Sequence, residues 1–186
     1  AVGQTIVSVP DGTIVRLLVE DESLDVQRGD LLEHERILAL RSGILERRLL
    51  WRSIAGRLIR VRSRRLVSFR HRSVAAVSYE VEAPEEQLSV ALQSNLVANK
   101  GEVVATVDPR GAKALGNVLE SRLHAHDNAR VVLVHTTIDS KLSAASGMDH
   151  VIEADGEARP LVESEPDLGR MTLSATWFAR VSPAGC

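Results

Sequence analysis

Apolar residues recur in this chain with a period of two. The clearest case is the stretch 58–69, where Ile59, Val61, Val67 and Phe69 fall on one side with Ser63 and Arg65 between them. Leu58, Arg60, Arg62, Arg64, Leu66 and Ser68 fall on the other side. Successive side chains of an extended chain point to opposite faces, so the pattern predicts a half-buried strand with a basic outer row. Gly56 ends the preceding strand, 44–53, whose Leu45, Leu49 and Trp51 point inward. Arg70, His71 and Arg72 form the next turn, and 74–81 resumes the alternation with Ala75, Val77, Tyr79 and Val81 on one side.

The rest of the chain reads the same way. Short strands are predicted over 5–9, 13–19 and 24–26, separated by Pro10-Asp11-Gly12 and Asp21-Glu22-Ser23. In 31–41, Leu32, His34, Arg36, Leu38 and Leu40 share one face, and Leu31, Glu33, Glu35, Ile37 and Ala39 share the other. Ser42-Gly43 is a two-residue hairpin candidate. Strands follow over 87–96 (with Leu88, Val90, Leu92 and Leu96 aligned), 117–126, 130–138, 142–153 and 171–181. The segment 99–116 reads as a long loop, the kind that often carries function, and the polar segment 155–169, with Pro160 and Pro166, reads as a second loop. About ten to twelve strands in series with little helix predict an all-β chain. That number is too many for one open sheet, so the fold class expected is a large antiparallel two-sheet β-sandwich, residues 1–186 forming one domain.

Composition narrows the function classes. Aromatics make up 3% of the 186 residues, too few for a sugar-stacking platform or for base stacking on single-stranded nucleic acid. The net charge is −2, so no global field attracts polyanions, although the arginines cluster between Arg47 and Arg72. One cysteine, Cys186, allows no internal disulfide and suits a reducing, cytoplasmic setting. No run of 18 apolar residues is present, and the first ten residues lack the basic and apolar regions of a signal peptide. A first residue other than Met, and a chain that stops just after a strong strand, lead to the expectation of a domain excised from a larger protein.

Four groups of residues could carry chemistry. His124 and His126 share a strand face, and His135 on the next strand could oppose them, as in cupin-like metal sites. The competing reading is a polar hairpin end beside Asp127-Asn128. Asp149-His150 with Glu153 and Ser146 resembles an acid–base group, but Ser146 lacks the glycine context that exposes a nucleophile. Glu33 with Glu35, and Glu80 with Glu82, are carboxylate pairs of the kind glycoside hydrolysis requires, yet cross-strand ion pairs with the arginine strand account for them better. The row Arg60, Arg62, Arg64, with Arg70 and Arg72 in the turn beyond, reads as a solvated face, as a surface that docks another domain or subunit, or as a nucleic-acid contact, the last opposed by the few aromatics and the net negative charge.

The run WRSIAGRLIRVRSRRLVSF, followed by VAAVSYEV, resembles the N-terminal β-sandwich domain of glycoside hydrolase family 65, the family of maltose, trehalose and kojibiose phosphorylases and related hydrolases. VSVPDGTIVRLLVEDESLDVQRGDLLEHERILALRSGIL and ARVVLVHTTIDSKLSAASGMDHVIE resemble the flanking segments, in the same order, so that the likeness extends from about Ile6 to about Val181. The resemblance implies a galactose mutarotase-like supersandwich without cofactor, whose own C-terminal catalytic α/α barrel holds the catalytic glutamate and the phosphate site. No catalytic residue is therefore carried over to this chain. It further implies an α-linked glucose disaccharide as the parent enzyme's substrate, docking through Arg60, Arg62, Arg64, Arg70 and Arg72, a pocket-rim loop containing Asp108 and Arg110, and homodimerisation. The alternatives are a free-standing carbohydrate-binding module and a cupin-like metalloprotein built on His124, His126 and His135. Nucleic-acid and membrane partners are not expected.

Overall fold

The computed structural model describes residues 7, 9–98, 118–127, 129–153, 159–167 and 170–181, with side chains described up to residue 153 and at Val181. The expected strand at 5–9, the loop at 99–116 with Asp108 and Arg110, and Cys186 lie wholly or mostly outside them. Among the described residues the chain is all β, with twelve strands. These are β1 (Asp11–Val19), β2 (Glu22–Ser23), β3 (Asp30–Ala39), β4 (Ile44–Arg52), β5 (Leu58–Val67) and β6 (Ala75–Glu82), then β7 (Leu88–Val97), β8 (Leu119–Asp127), β9 (Arg130–Thr137), β10 (Ser143–Asp149), β11 (Arg159–Asp167) and β12 (Arg170–Val181). They form three antiparallel sheets, in the orders β11-β12-β7-β1-β2, β10-β9-β8 and β3-β4-β5-β6, consistent with a β-sandwich.

Four local expectations change. Residues 155–169 contain a strand, β11, where the prolines suggested a loop. Proline lacks the amide that a central strand must donate on both sides, but β11 is a sheet edge and pairs only with β12, so Pro160 and Pro166 are tolerated there. A bulge between Leu31 and Glu33 breaks the alternation of β3. It turns Leu31 onto the core face opposite Trp51 and leaves Leu32 half exposed. The β3–β4 connection is four residues long, not two: Ala39 pairs with Ile44, the Ala39 carbonyl accepts from the Gly43 amide at 2.8 Å, and Gly43 takes φ +70°. The two-residue strand β2 falls on Glu22–Ser23, just before the expected 24–26.

The residues group into two compact units, one built around 16–92 and the other around 93–152. In the first, Leu17, Val19, Leu49, Trp51, Ile59, Val61, Leu88 and Val90 form the core. Full burial of each such side chain contributes about 1.5–3 kcal/mol. Trp51 also needs a partner for its indole N–H, and it donates to the Arg28 carbonyl at 2.8 Å. That approach requires Gly29, which takes φ +77°; a Cβ there would stand 2.5 Å from the Arg52 carbonyl oxygen. Beyond β4 the chain reverses at Gly56 (φ +86°), and the Glu22 carboxylate accepts from the Ile54 and Ala55 amides at 3.0 and 3.1 Å. The second unit has a smaller core of Leu96, Ala98, Leu119, Val131 and Leu133.

Candidate functional site

The arginine-rich sheet β3-β4-β5-β6 has two unlike faces. Its register places the residues in rows across the four strands. On the outer face one row is Glu33, Leu50, Arg60, Glu82, the next Glu35, Arg48, Arg62, Glu80, and the next Ile37, Glu46, Arg64, Ser78. Opposite charges thus alternate across strands, which stabilises the sheet. Arg60 donates to Glu82 at 3.1 Å, Arg48 lies 3.6 Å from Glu35, and Arg62 and Arg64 lie 3.9 and 3.8 Å from Glu80. Glu46 is the hub. Arg62 grips it with two bonds, Nε to Oε1 at 3.0 Å and Nη2 to Oε2 at 3.3 Å, Arg64 Nε donates at 3.2 Å, and Arg48 joins them. The Arg62 bonds lead in holding the Glu46 carboxyl down to about 2, against the opposing effect of partial burial.

Between these side chains lies a depression of about 340 Å³ lined by Glu33, Arg48, Arg60, Arg62, Glu80 and Glu82. Its chemistry does not suit glycoside cleavage. A general acid needs a raised pKa and a free carboxyl, whereas Glu80 and Glu82 are ion-paired and Glu46 is pushed the other way. Glu35, Glu80 and Glu82 therefore act as the sequence suggested, as partners of arginines, whereas Glu33 has no ion pair among the described residues.

The opposite face changes character along its length. The row Leu31, Trp51, Ile59 lies in the core, as do Leu49, Val61 and Val81 of the next row, whose β3 member His34 is exposed. In the next row, Arg36, Arg47, Ser63, Tyr79, two arginines stand directly opposite each other. Tyr79 is pushed up to about 12, mainly by burial, and Arg47 Nε donates to His34 Nε2 at 3.1 Å. Beyond it the row Leu38, Leu45, Arg65, Val77 opens to solvent, and at the strand ends Leu40 is 85%, Val67 65% and Phe69 89% exposed. The inward position expected for Val67 and Phe69 is therefore corrected. The alternation of β5 continues, but no described element covers this end of the face.

The five arginines expected to act together separate into two groups. Arg60, Arg62 and Arg64 belong to the neutralised outer ladder, while Arg70 and Arg72 sit exposed in the 68–74 connection, beside the uncovered end. Among the described residues no carboxylate lies within ion-pair range of Arg36, Arg41, Arg47, Arg65, Arg70 or Arg72.

The other candidates come apart. His124 and His126 are exposed opposite Leu133 and Val131, whereas His135 is 1% exposed opposite Ser121. Among the described residues no group of three His, Cys, Asp or Glu side chains could hold a metal. Neither ring nitrogen of His135 has a hydrogen-bond partner, and burial lowers its pKa from 6.5. Asp149 accepts from Arg130 at 3.0 Å, while His150 bonds the Ala129 carbonyl at 2.6 Å and the Ser94 hydroxyl at 3.1 Å. Ser146, opposite Leu133, is not part of this group. The Ser94–His150 pair, 56 residues apart in sequence, had no local signal, and burial of Ser94 makes it a pin between strands. Of the aromatics weighed as sugar platforms, Trp51 is buried, and the side chains of Trp177 and Phe178 lie outside those described.

Comparison with known proteins agrees with the fold and places it. Residues 1–181 match the N-terminal domain of glycosyl hydrolase family 65. An uncharacterized glycosyl hydrolase of Mycobacterium tuberculosis is 46% identical over 171 residues, 92% of this chain and 22% of that protein. The α,α-trehalose phosphorylase of Thermoanaerobacter brockii is 29% identical over 157 residues, 84% of this chain and 20% of that protein. A putative kojibiose phosphorylase from the human microbiome has the same fold, with a TM-score of 0.65 at 16% identity over 94% of this chain and 22% of the solved one. The chain thus spans about a fifth of the length of the curated relatives it matches.

Proposed function

Since this chain belongs to glycosyl hydrolase family 65, as its N-terminal domain, we propose that it is the non-catalytic scaffold of an enzyme that cleaves α-linked glucose disaccharides with phosphate or water. The observation that carries this reading is the match to the N-terminal domain of proteins about four times its length. The tied-up carboxylates of the arginine sheet support it, because chemistry that this surface does not offer must come from elsewhere. In this reading the domain packs on the catalytic α/α barrel, the segment 99–116 with Asp108 and Arg110 reaches the rim of the substrate pocket, and the assembly is a cytoplasmic homodimer.

The test is a paired assay. Glucose 1-phosphate and free glucose are measured from maltose, trehalose and kojibiose, with and without phosphate, using this chain and the natural full-length polypeptide. Turnover by the long form alone is expected. Turnover by this chain would overturn the scaffold reading. Inactivity of both, together with saturable binding of an oligosaccharide by this chain, would replace it with a carbohydrate-binding module.

A further inference from the structure

The proposed scaffold role leaves open which surface meets the rest of the polypeptide. The ladder of Arg60, Arg62 and Arg64 is a poor choice, because its charges are already satisfied by Glu46, Glu80 and Glu82. Docking there would desolvate paired ions for little gain. The uncovered end of the other face differs in both respects. It exposes Leu38 (57%), Leu40 (85%), Val67 (65%) and Phe69 (89%) around arginines that lack carboxylate partners among the described residues. A contiguous apolar surface with a charged surround marks an interaction site, whereas isolated exposed apolar residues do not. Phe69 stands just past the end of β5 beside the β3–β4 turn: a Cβ added at Gly43 would meet its Cε2 at 3.6 Å and Leu66 Cδ1 at 3.8 Å. Exposed aromatics are enriched among the residues that carry binding energy at interfaces.

Charge decides the occupant. Arg36 and Arg47 face each other across β3 and β4, an arrangement that costs stability unless carboxylates approach from outside. A second copy meeting this face through its own identical face would bring Arg36, Arg47 and Arg65 against themselves, and the repulsion excludes a self-complementary contact. Single-stranded nucleic acid needs several stacking rings, and Phe69 is the one exposed aromatic among the described side chains at this end of the sheet. Roughly four fifths of the length of the curated relatives lies beyond the part this chain matches. We propose that the Leu38–Phe69 end of the β3–β6 sheet is the docking surface for that remaining part of the same polypeptide, through a patch that carries carboxylates beside apolar side chains.

Hydroxyl-radical footprinting tests this on the natural full-length protein, with this chain alone as reference. Oxidation of Phe69, Leu38 and Leu40 is expected to slow about tenfold or more in the full-length protein, as burial excludes solvent, while Ile54, 77% exposed at the β4–β5 turn, stays reactive in both. Reversal of Arg36 and Arg65 to Glu in the full-length protein should restore the reactivity of Phe69, while the same reversals do not lower the thermal melt of this chain, since Arg36→Glu places a carboxylate opposite Arg47. Equal Phe69 reactivity in the two forms overturns the proposal. So does protection that appears in this chain alone as its concentration rises, since that assigns the face to a second copy. A full-length protein active on α-glucosides whose Phe69 remains reactive would reject the docking surface and leave the scaffold role intact.

Discussion

The two ends of one sheet face differ in cover: one is packed into the core and the other is open to solvent. Along β5 the same alternation runs from Ile59 to Val67, yet Ile59 and Val61 are buried and Val67 is largely exposed. Nothing in β5 itself makes the difference. At one end Leu17, Val19, Leu88 and Val90 pack over Trp51, Ile59 and Leu49; at the other no described element does so. Alternation in a sequence identifies a face that is built to be covered, and the structure tells whether this chain supplies the cover. Where it does not, the face points to a partner.

The sharpest way to break this comparison is at the covered end. Trp51→Ala should cost about 3–5 kcal/mol, because it removes a fully buried indole and leaves a cavity, and urea unfolding reads the loss directly. Gly29→Ala comes next, at about 2 kcal/mol, since a Cβ at φ +77° and 2.5 Å from the Arg52 carbonyl must displace the backbone that receives Trp51. A loss under about 0.5 kcal/mol for either would show that the Trp51 end is not the better packed.

Two titrations sharpen the picture. His135 is buried without a partner, so its folded pKa lies below 6.5 and the unfolded chain binds a proton that the folded chain refuses. Stability is therefore undiminished above pH 6.5 and declines as pH falls below it. His135→Leu should flatten that decline, and a slope that survives the substitution would assign acid sensitivity to another group. The Glu46 carboxyl is lowered from 4.5 to about 2, so its contribution is complete above pH 4.5 and disappears as pH falls toward 2. Glu46→Gln should lower stability at neutral pH and remove that part of the acid limb, read by thermal melts across pH. The smallest effect belongs to the uncovered end: Phe69→Ser in this chain should change stability by no more than about 0.5 kcal/mol, as for an exposed surface position.

Much of the fold was legible because period two survives wherever one side of a strand is buried. β4, β5, β6 and β7 follow the alternation of Leu49, Trp51, Ile59, Val61, Val81, Leu88 and Val90. The ion pairs of Glu80 and Glu82 with the arginine strand were also legible, since hairpins with short links fix which rows face each other. What the sequence hid were events with no local signal. The bulge after Leu31 moves one residue across the sheet without changing composition, and β11 carries prolines that only an edge position permits. The isolation of His135 from His124 and His126 depends on burial at one strand of the hairpin and exposure at the other. The uncovered end of β5 was misread for the same reason, because periodicity cannot say where the covering layer stops.

One substitution in two settings tests the central claim most directly. Phe69→Ser is placed in this chain and in the natural full-length protein, and the unfolding free energy of residues 16–92 is measured in each by hydrogen exchange. The account predicts almost no change in this chain and a loss of about 3 kcal/mol or more in the full-length protein, where the ring is buried against the rest of the polypeptide. An equal, small change in both would contradict it.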